Sequence, residues 1–190
     1  MSRARLEAFG DAVIAIIITI MVLELQAPNG SSISALLPLA PKFLSYLLSF
    51  VFLGIYWNNH HHLFHAVQRV NGTVLWANLH LLFWLSLVPF VTSWLGEAGA
   101  LTVPVAMYGT VLIFAALAYF ILVRVLVSLH GNESQLAAAV GRDTKGRASL
   151  GLYAPGLALS FLLPLAALGI YILVAAMWLL PDRRFETGRG

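Results

Sequence analysis

Residues 5–25 read Arg-Leu-Glu-Ala-Phe-Gly-Asp-Ala-Val-Ile-Ala-Ile-Ile-Ile-Thr-Ile-Met-Val-Leu-Glu-Leu. Between Asp11 and Glu24 stand only uncharged residues, Ala12 to Leu23. At the α-helical rise they cover about 18 Å, so Asp11 sits at or inside the edge of any bilayer this helix crosses. An ionisable group there is costly and ordinarily faces a bundle interior or a wet cavity. At about 100° per residue, Phe9, Val13, Ile16, Ile20 and Leu23 share one stripe, with Thr19 on its flank and Asp11 pointing to the opposite side. One face offers stacked branched aliphatics and the other an acid. On spacing alone, a core helix packed on all sides explains the same pattern.

The rest of the chain has the same character. Of 190 residues, 60% are hydrophobic and 10% charged, and the mean hydropathy is +0.86. A soluble domain carries about 25% charged residues and an apolar fraction of about 45–50%. An ordinary cytosolic enzyme and a disordered chain are thereby excluded. The chain has no cysteine, which excludes disulfide frameworks, thiolate catalysis, iron–sulfur clusters and zinc–thiolate sites. The composition describes a polytopic membrane protein whose partner is the lipid bilayer. Its net charge of +3 is read loop by loop as topology, and no nucleic-acid partner is expected.

A crossing helix needs about 20 mostly apolar residues. The first runs from Phe9 to Leu25, ahead of Pro28 and Gly30. The second runs from Lys42 to Asn59, with Pro41 near its first turn, where proline is tolerated. The third covers Thr73 to Leu95 with Pro89 inside it, and the fourth covers Val103 to Val127. His130 to Arg147 is polar and reads as a loop with room for a short surface helix. The last apolar stretch, Leu150 to Leu180, is too long for one span and holds Pro164 near its middle. It reads as two short helices in a tight hairpin, about 147–163 and 165–180. The expected fold is all-α integral membrane, six spans in a single domain over residues 1–190, with no repeat.

An even number of spans puts both termini on one side. That side holds Arg3, Arg5, Arg69, Arg124, Arg142, Lys145, Arg147, Arg183, Arg184 and Arg189, and the other keeps only Lys42. The bias places both ends in the cytoplasm and the protein in the cell membrane. Arg3 and Arg5 before an apolar run also suit a cleaved signal peptide. Glu7 and Asp11 in the basic region, and Glu24 where small residues belong, argue against cleavage.

The run from Arg5 to Leu25 resembles the first-helix signature of the transmembrane protein 175 family, potassium-permeable channels of prokaryotes and animal lysosomes. That pattern is arginine, three residues, then Phe-Ser-Asp. Arg5, Phe9 and Asp11 match, and Gly10 stands where the serine is expected. Tyr56-Trp57-Asn58-Asn59-His60-His61 with Leu63-Phe64 is similar to the end of the family's second helix. Leu75-Trp76-Ala77-Asn78, continuing through Ser86, Pro89-Phe90 and Gly96-Glu97, is similar to its third, and Leu180-Pro181-Asp182-Arg183-Arg184 to its ending.

The resemblance implies a homotetramer in which the first helix of each subunit lines a central pore for monovalent cations, potassium in preference to sodium. The Thr-Val-Gly-Tyr-Gly carbonyl filter is absent from this chain. In its place the resemblance puts a constriction at Ile16 with Thr19 three residues on, and one and two turns beyond Ile16 on the same stripe come Ile20 and Leu23. Rings of aliphatics gate by dewetting, and threonine hydroxyls can coordinate a partly dehydrated cation. Glu24 then lies at the pore mouth, where it either concentrates cations or is a solvated helix-end charge. Arg5, Asp11, Trp57, His60, His61 and Asn78 correspond to a buried polar network that ties the pore helix to its supports. Gly10 removes one hydroxyl from that network.

Rival chemistries have less behind them. His61 and His65 have the i, i+4 spacing of metal ligands, but no Asp, Glu or Cys lies within ten residues of the His60–His62 cluster, so no metal centre and no cofactor is expected. Interfacial packing, or titration near neutral pH, accounts for the imidazoles. Ser86 and Ser160 lie in apolar runs, where bonding to a backbone carbonyl is the default, and no nucleophile, base and acid are grouped as an enzyme requires. The alternative to a channel is a secondary transporter or proton/cation-coupled carrier. Pro89 and Pro164 suit its interrupted helices, but no charge sits at the midplane. Trp76, Trp84, Trp94, Tyr108, Phe114, Tyr119 and Phe120 read as lipid-facing or interfacial belt.

Overall fold

The computed structural model describes residues 2–28, 30–131, 133–141 and 144–179. In order they form α1 (Arg3–Leu23), a 3-10 segment (Ile33–Leu39), α2 (Ala40–His65), α3 (Gly72–Ser86), α4 (Val88–Ala98), α5 (Thr102–His130), α6 (Gln135–Val140), α7 (Thr144–Ser160) and α8 (Pro164–Leu179). Among the described residues, four stretches are long and apolar enough to cross a membrane: Arg3–Leu23, Ile33–His65, Gly72–Ala98 and Thr102–His130. Pro164–Leu179 is apolar but shorter.

Local chemistry sets the ends. Ser2 caps α1 by accepting from the Arg5 amide at 3.4 Å, and Asn71 caps α3 by accepting from Val74 at 3.0 Å. Both satisfy amides that a helix start leaves without partners. Gly99 and Gly131 follow α4 and α5 with φ of 73° and 89°, a region that glycine enters without a Cβ clash.

The third apolar run, expected as one helix, breaks at Leu87 into α3 and α4. Pro89 has no N–H for the Leu85 carbonyl, and its ring crowds that oxygen. Leu87 instead closes a tighter turn on Trp84 at 3.3 Å, and the Ser86 hydroxyl donates to the Phe83 carbonyl at 2.7 Å. Beyond the second expected span, α2 runs on to His65, so the histidine cluster is helical.

α5 is the central helix, packed on α3, α4, α7 and α8, while α7 and α8 pair as a hairpin. Small residues allow the closest approaches. Gly109 of α5 meets the Tyr171 hydroxyl of α8, and a methyl group on Gly96 of α4 would stand 2.9 Å from the Cα of Lys42. Polar links lie inside the bundle. Ser49 Oγ is 2.9 Å from Tyr108 Oη and 2.6 Å from Thr92 Oγ1, joining α2, α5 and α4. Tyr108 is therefore a correction to the expected aromatic belt: it is fully buried because Ser49 gives its hydroxyl a partner away from lipid. Trp76 is largely exposed, and Trp84 stacks on Phe114 at 4.5 Å.

At the end of the bundle that holds the start of α1, Arg69 donates to the Leu129 carbonyl at 2.8 Å and Arg124 lies over the Phe120 ring at 5.7 Å. At the other end Lys42 pairs with Glu97 at 3.0 Å. Arg142, Arg183, Arg184 and Arg189, with the whole Leu180–Arg184 motif, lie outside the described residues.

Candidate functional site

α1 has two faces. Leu6, Gly10, Ile14, Ile17 and Met21 recur every three or four residues and are buried, where the helix packs on α2, α3 and α4. Phe9, Ile16, Thr19, Ile20 and Leu23 form the opposite face and are exposed, Ile16 by 57% and Leu23 by 78%. Val13 is half-buried at the boundary. A fully packed core helix, the alternative that spacing left open, does not leave such a face. Alongside it runs a groove of about 540 Å³ whose other wall is the α3–α4 bend, with Ser86, Pro89, Phe90 and Ser93.

Two oxygens mark this face. The Thr19 hydroxyl donates to the Ile16 carbonyl at 2.9 Å, which parks its proton on the helix and leaves its lone pairs directed away from that bond. Glu24, at the end of α1, accepts from the Ser93 hydroxyl at 3.1 Å and remains exposed. It anchors the end of α1 to α4.

The base of α1 is polar. His60 of α2 is fully buried, with Nε2 2.8 Å from Asn78 Oδ1 of α3. Gly10 lies directly against the His60 imidazole. Asp11 Oδ1, His60 Nδ1 and Asn78 Nδ2 are buried without hydrogen-bond partners among the described residues. Trp57 stacks on His61, centroids 6.1 Å apart. His60 and Asn78 are thus brought together, with Asp11 and Gly10 beside them, and His61 and Trp57 form a second group.

Arg5 belongs to neither group. Its side chain is exposed at the foot of the free face, because the period of 3.6 puts residue 5 in line with Phe9 and Ile16. The arginine that does bind α2 is Arg3. It donates to the Val67 carbonyl at 3.2 Å and lies 3.9 Å from Glu7, and Glu7 in turn is 3.2 Å from His61. Neither Arg3 nor Glu7 was singled out from the sequence. The signal was present, since Arg3, Glu7 and Asp11 follow one another at i, i+4 on one side of α1.

This arrangement has an apolar, threonine-bearing surface and an anchored base, and among the described residues no nucleophile and base are grouped. Ser86 and Ser160 bond to the Phe83 and Leu157 carbonyls at 2.7 and 2.6 Å. Residues 5–89 match the family model described as endosomal/lysosomal potassium channel TMEM175. A potassium channel of Chryseobacterium sp. (strain P1-3) is 54% identical over 186 residues, 98% of this chain and 97% of that protein. The human endosomal/lysosomal proton channel TMEM175 is 36% identical over 81 residues, 36% of this chain and 16% of the human protein. The crystal structure of a lysosomal potassium-selective channel TMEM175 homolog from Chamaesiphon minutus superposes with a TM-score of 0.80 at 30% identity, covering 94% of this chain and 96% of that one. With nearly the whole length of a bacterial potassium channel matched at this identity, the chain belongs to the TMEM175 family.

Proposed function

We propose that the protein is a potassium-selective channel in which four copies surround one axis and turn the free face of α1 toward the ion path. It conducts potassium in preference to sodium and is not an enzyme. The observation that carries the pore reading is the exposed stripe of Phe9, Ile16, Thr19, Ile20 and Leu23 on a helix whose other face is buried. Within one copy that stripe faces outward, so only further copies of the same face can enclose a path along it.

In this reading, rings of Ile16, Ile20 and Leu23 form an apolar neck that gates by dewetting. The Thr19 lone pairs meet the cation as it sheds water. Dehydration costs less for potassium than for sodium, so even an apolar neck favours the larger ion. Glu24 raises the local cation concentration at the mouth. Asp11, His60 and Asn78, with Trp57 and His61, hold the base of α1 against α2 and α3. α7 and α8 complete six spans, with both termini cytoplasmic in the cell membrane.

Flux of potassium and of sodium into liposomes holding the purified protein tests this, with Ile16→Asn run in parallel. Wild-type protein passes potassium faster than sodium, and Ile16→Asn passes more of both or loses the preference. No flux from either protein across a range of pH overturns the reading.

A further inference from the structure

The base of α1 and the end of α2 bring together three side chains that bind metals. His61 and His65 lie one turn apart on α2, with ring centroids 5.4 Å apart. Glu7 of α1 supplies the carboxylate that the neighbouring sequence lacks, and one donor atom from each of the three lies within 4.8 Å of the other two. Glu7 Oε1 and His61 Nδ1 are 3.2 Å apart. Donors about 2.0–2.1 Å from a tetrahedral zinc ion stand about 3.3 Å from one another, so this pair already has the spacing of two ligands. His65 is exposed and has at most about 1.5 Å to close, within the reach of a rotamer change.

The surroundings favour the same geometry. Arg3 stands 3.9 Å from the other carboxylate oxygen, Oε2, which orients Glu7 and leaves Oε1 toward the imidazoles, as outer partners of metal ligands do. Trp57 packs on one side of the His61 ring and His62 meets it edge-on. His60 points elsewhere, to Asn78.

We infer that Glu7, His61 and His65 form a binding site for a divalent transition cation of the zinc class, bridging α1 and α2. Two imidazoles and a carboxylate are a donor set for zinc with water in the fourth position, whereas magnesium and calcium prefer oxygen donors. The site lies on the side of α1 that meets α2, away from the stripe of Ile16 and Leu23. Its effect on conduction rests on the channel reading: a bound ion clamps the base of the pore helix to α2 and lowers potassium flux.

Calorimetric titration of zinc, with magnesium as the contrast, into the purified full-length protein tests the site without reference to flux. Wild-type protein binds zinc and not magnesium. His65→Gln, an exposed position, and Glu7→Gln each weaken zinc binding at least about tenfold, while His62→Gln leaves it unchanged. Cobalt bound to wild-type protein gives the visible absorption of a tetrahedral centre, and His65→Gln loses it. A wild-type protein that binds no zinc at micromolar concentration, or a His65→Gln protein that binds as tightly as wild type, overturns the site. Zinc binding in a protein without flux counts against the channel reading and leaves the site standing.

Discussion

Gly10 of α1 and His60 of α2 meet so closely that a methyl group on Gly10 would stand 2.6 Å from His60 Cε1 and 3.0 Å from Nε2. The imidazole has little room to retreat, since it is fully buried, held by Asn78 at 2.8 Å and packed 4.5 Å from the Phe64 ring. The glycine at this position therefore has a steric reason: the ring occupies the space that a Cβ needs. Gly10 lets the base of α1 sit directly on the polar cluster.

Gly10→Ala must move His60 off Asn78 or move α1 off α2. Overpacking of this kind costs about 1–3 kcal/mol. Thermal unfolding in detergent is expected to show the loss, and His60→Ala in the same background is expected to recover part of it by vacating the space.

A second close approach makes the opposite prediction for a deletion. The Tyr171 hydroxyl is buried against Gly109 and has no hydrogen-bond partner among the described residues. A buried hydroxyl without a partner costs about 1–3 kcal/mol, so Tyr171→Phe is expected to match or exceed wild-type stability. Gly109→Ala is expected to destabilise, and the double variant to lose less than Gly109→Ala alone, a coupling that a double-mutant cycle reads directly.

Tyr108 differs from Tyr171 in having a partner, Ser49, at 2.9 Å. Tyr108→Phe leaves Ser49 with one partner fewer inside the bundle and is expected to cost about 1 kcal/mol. A Tyr108→Phe protein as stable as wild type would remove this link between α2 and α5 from the account.

These contacts show what could be read from the chain and what could not. The stripe from Phe9 to Leu23 was legible because a helix has one fixed period, so residue spacing alone sets which side chains share a face. Whether that face was free was not legible, since spacing gives no count of neighbours. Pro89 announced a defect in the third helix, but the bend at Leu87 depends on how the carbonyls before it find other donors. Tyr108 was misassigned with the aromatics because its partner, Ser49, lies far away in sequence and on another helix. Glu7 and His61 are separated in the same way, and so the carboxylate beside the histidines was missed. Arg5 was grouped with the buried polar residues through the resemblance, although the helical period alone puts it on the free face.

At the far end of the bundle, Lys42 and Glu97 pair at 3.0 Å with Glu97 largely exposed. Exposed pairs contribute about 0–1 kcal/mol and are screened by salt. Lys42→Ala is expected to lower thermal stability by no more than this, with the difference shrinking as salt is raised. A larger, salt-insensitive loss would mean that Lys42 acts through the packing of its side-chain stem beside Gly96 of α4.

The most direct measurement uses the absence of cysteine from the chain. Ile16→Cys places a single thiol on the free face of α1, and Ile17→Cys places one on the buried face. Potassium flux in liposomes is followed as a water-soluble, positively charged thiol reagent is added. The account predicts that the reagent cuts flux through Ile16→Cys and leaves Ile17→Cys like wild type. A conducting Ile16→Cys protein that the reagent does not slow would contradict the claim that this face of α1 lines the ion path.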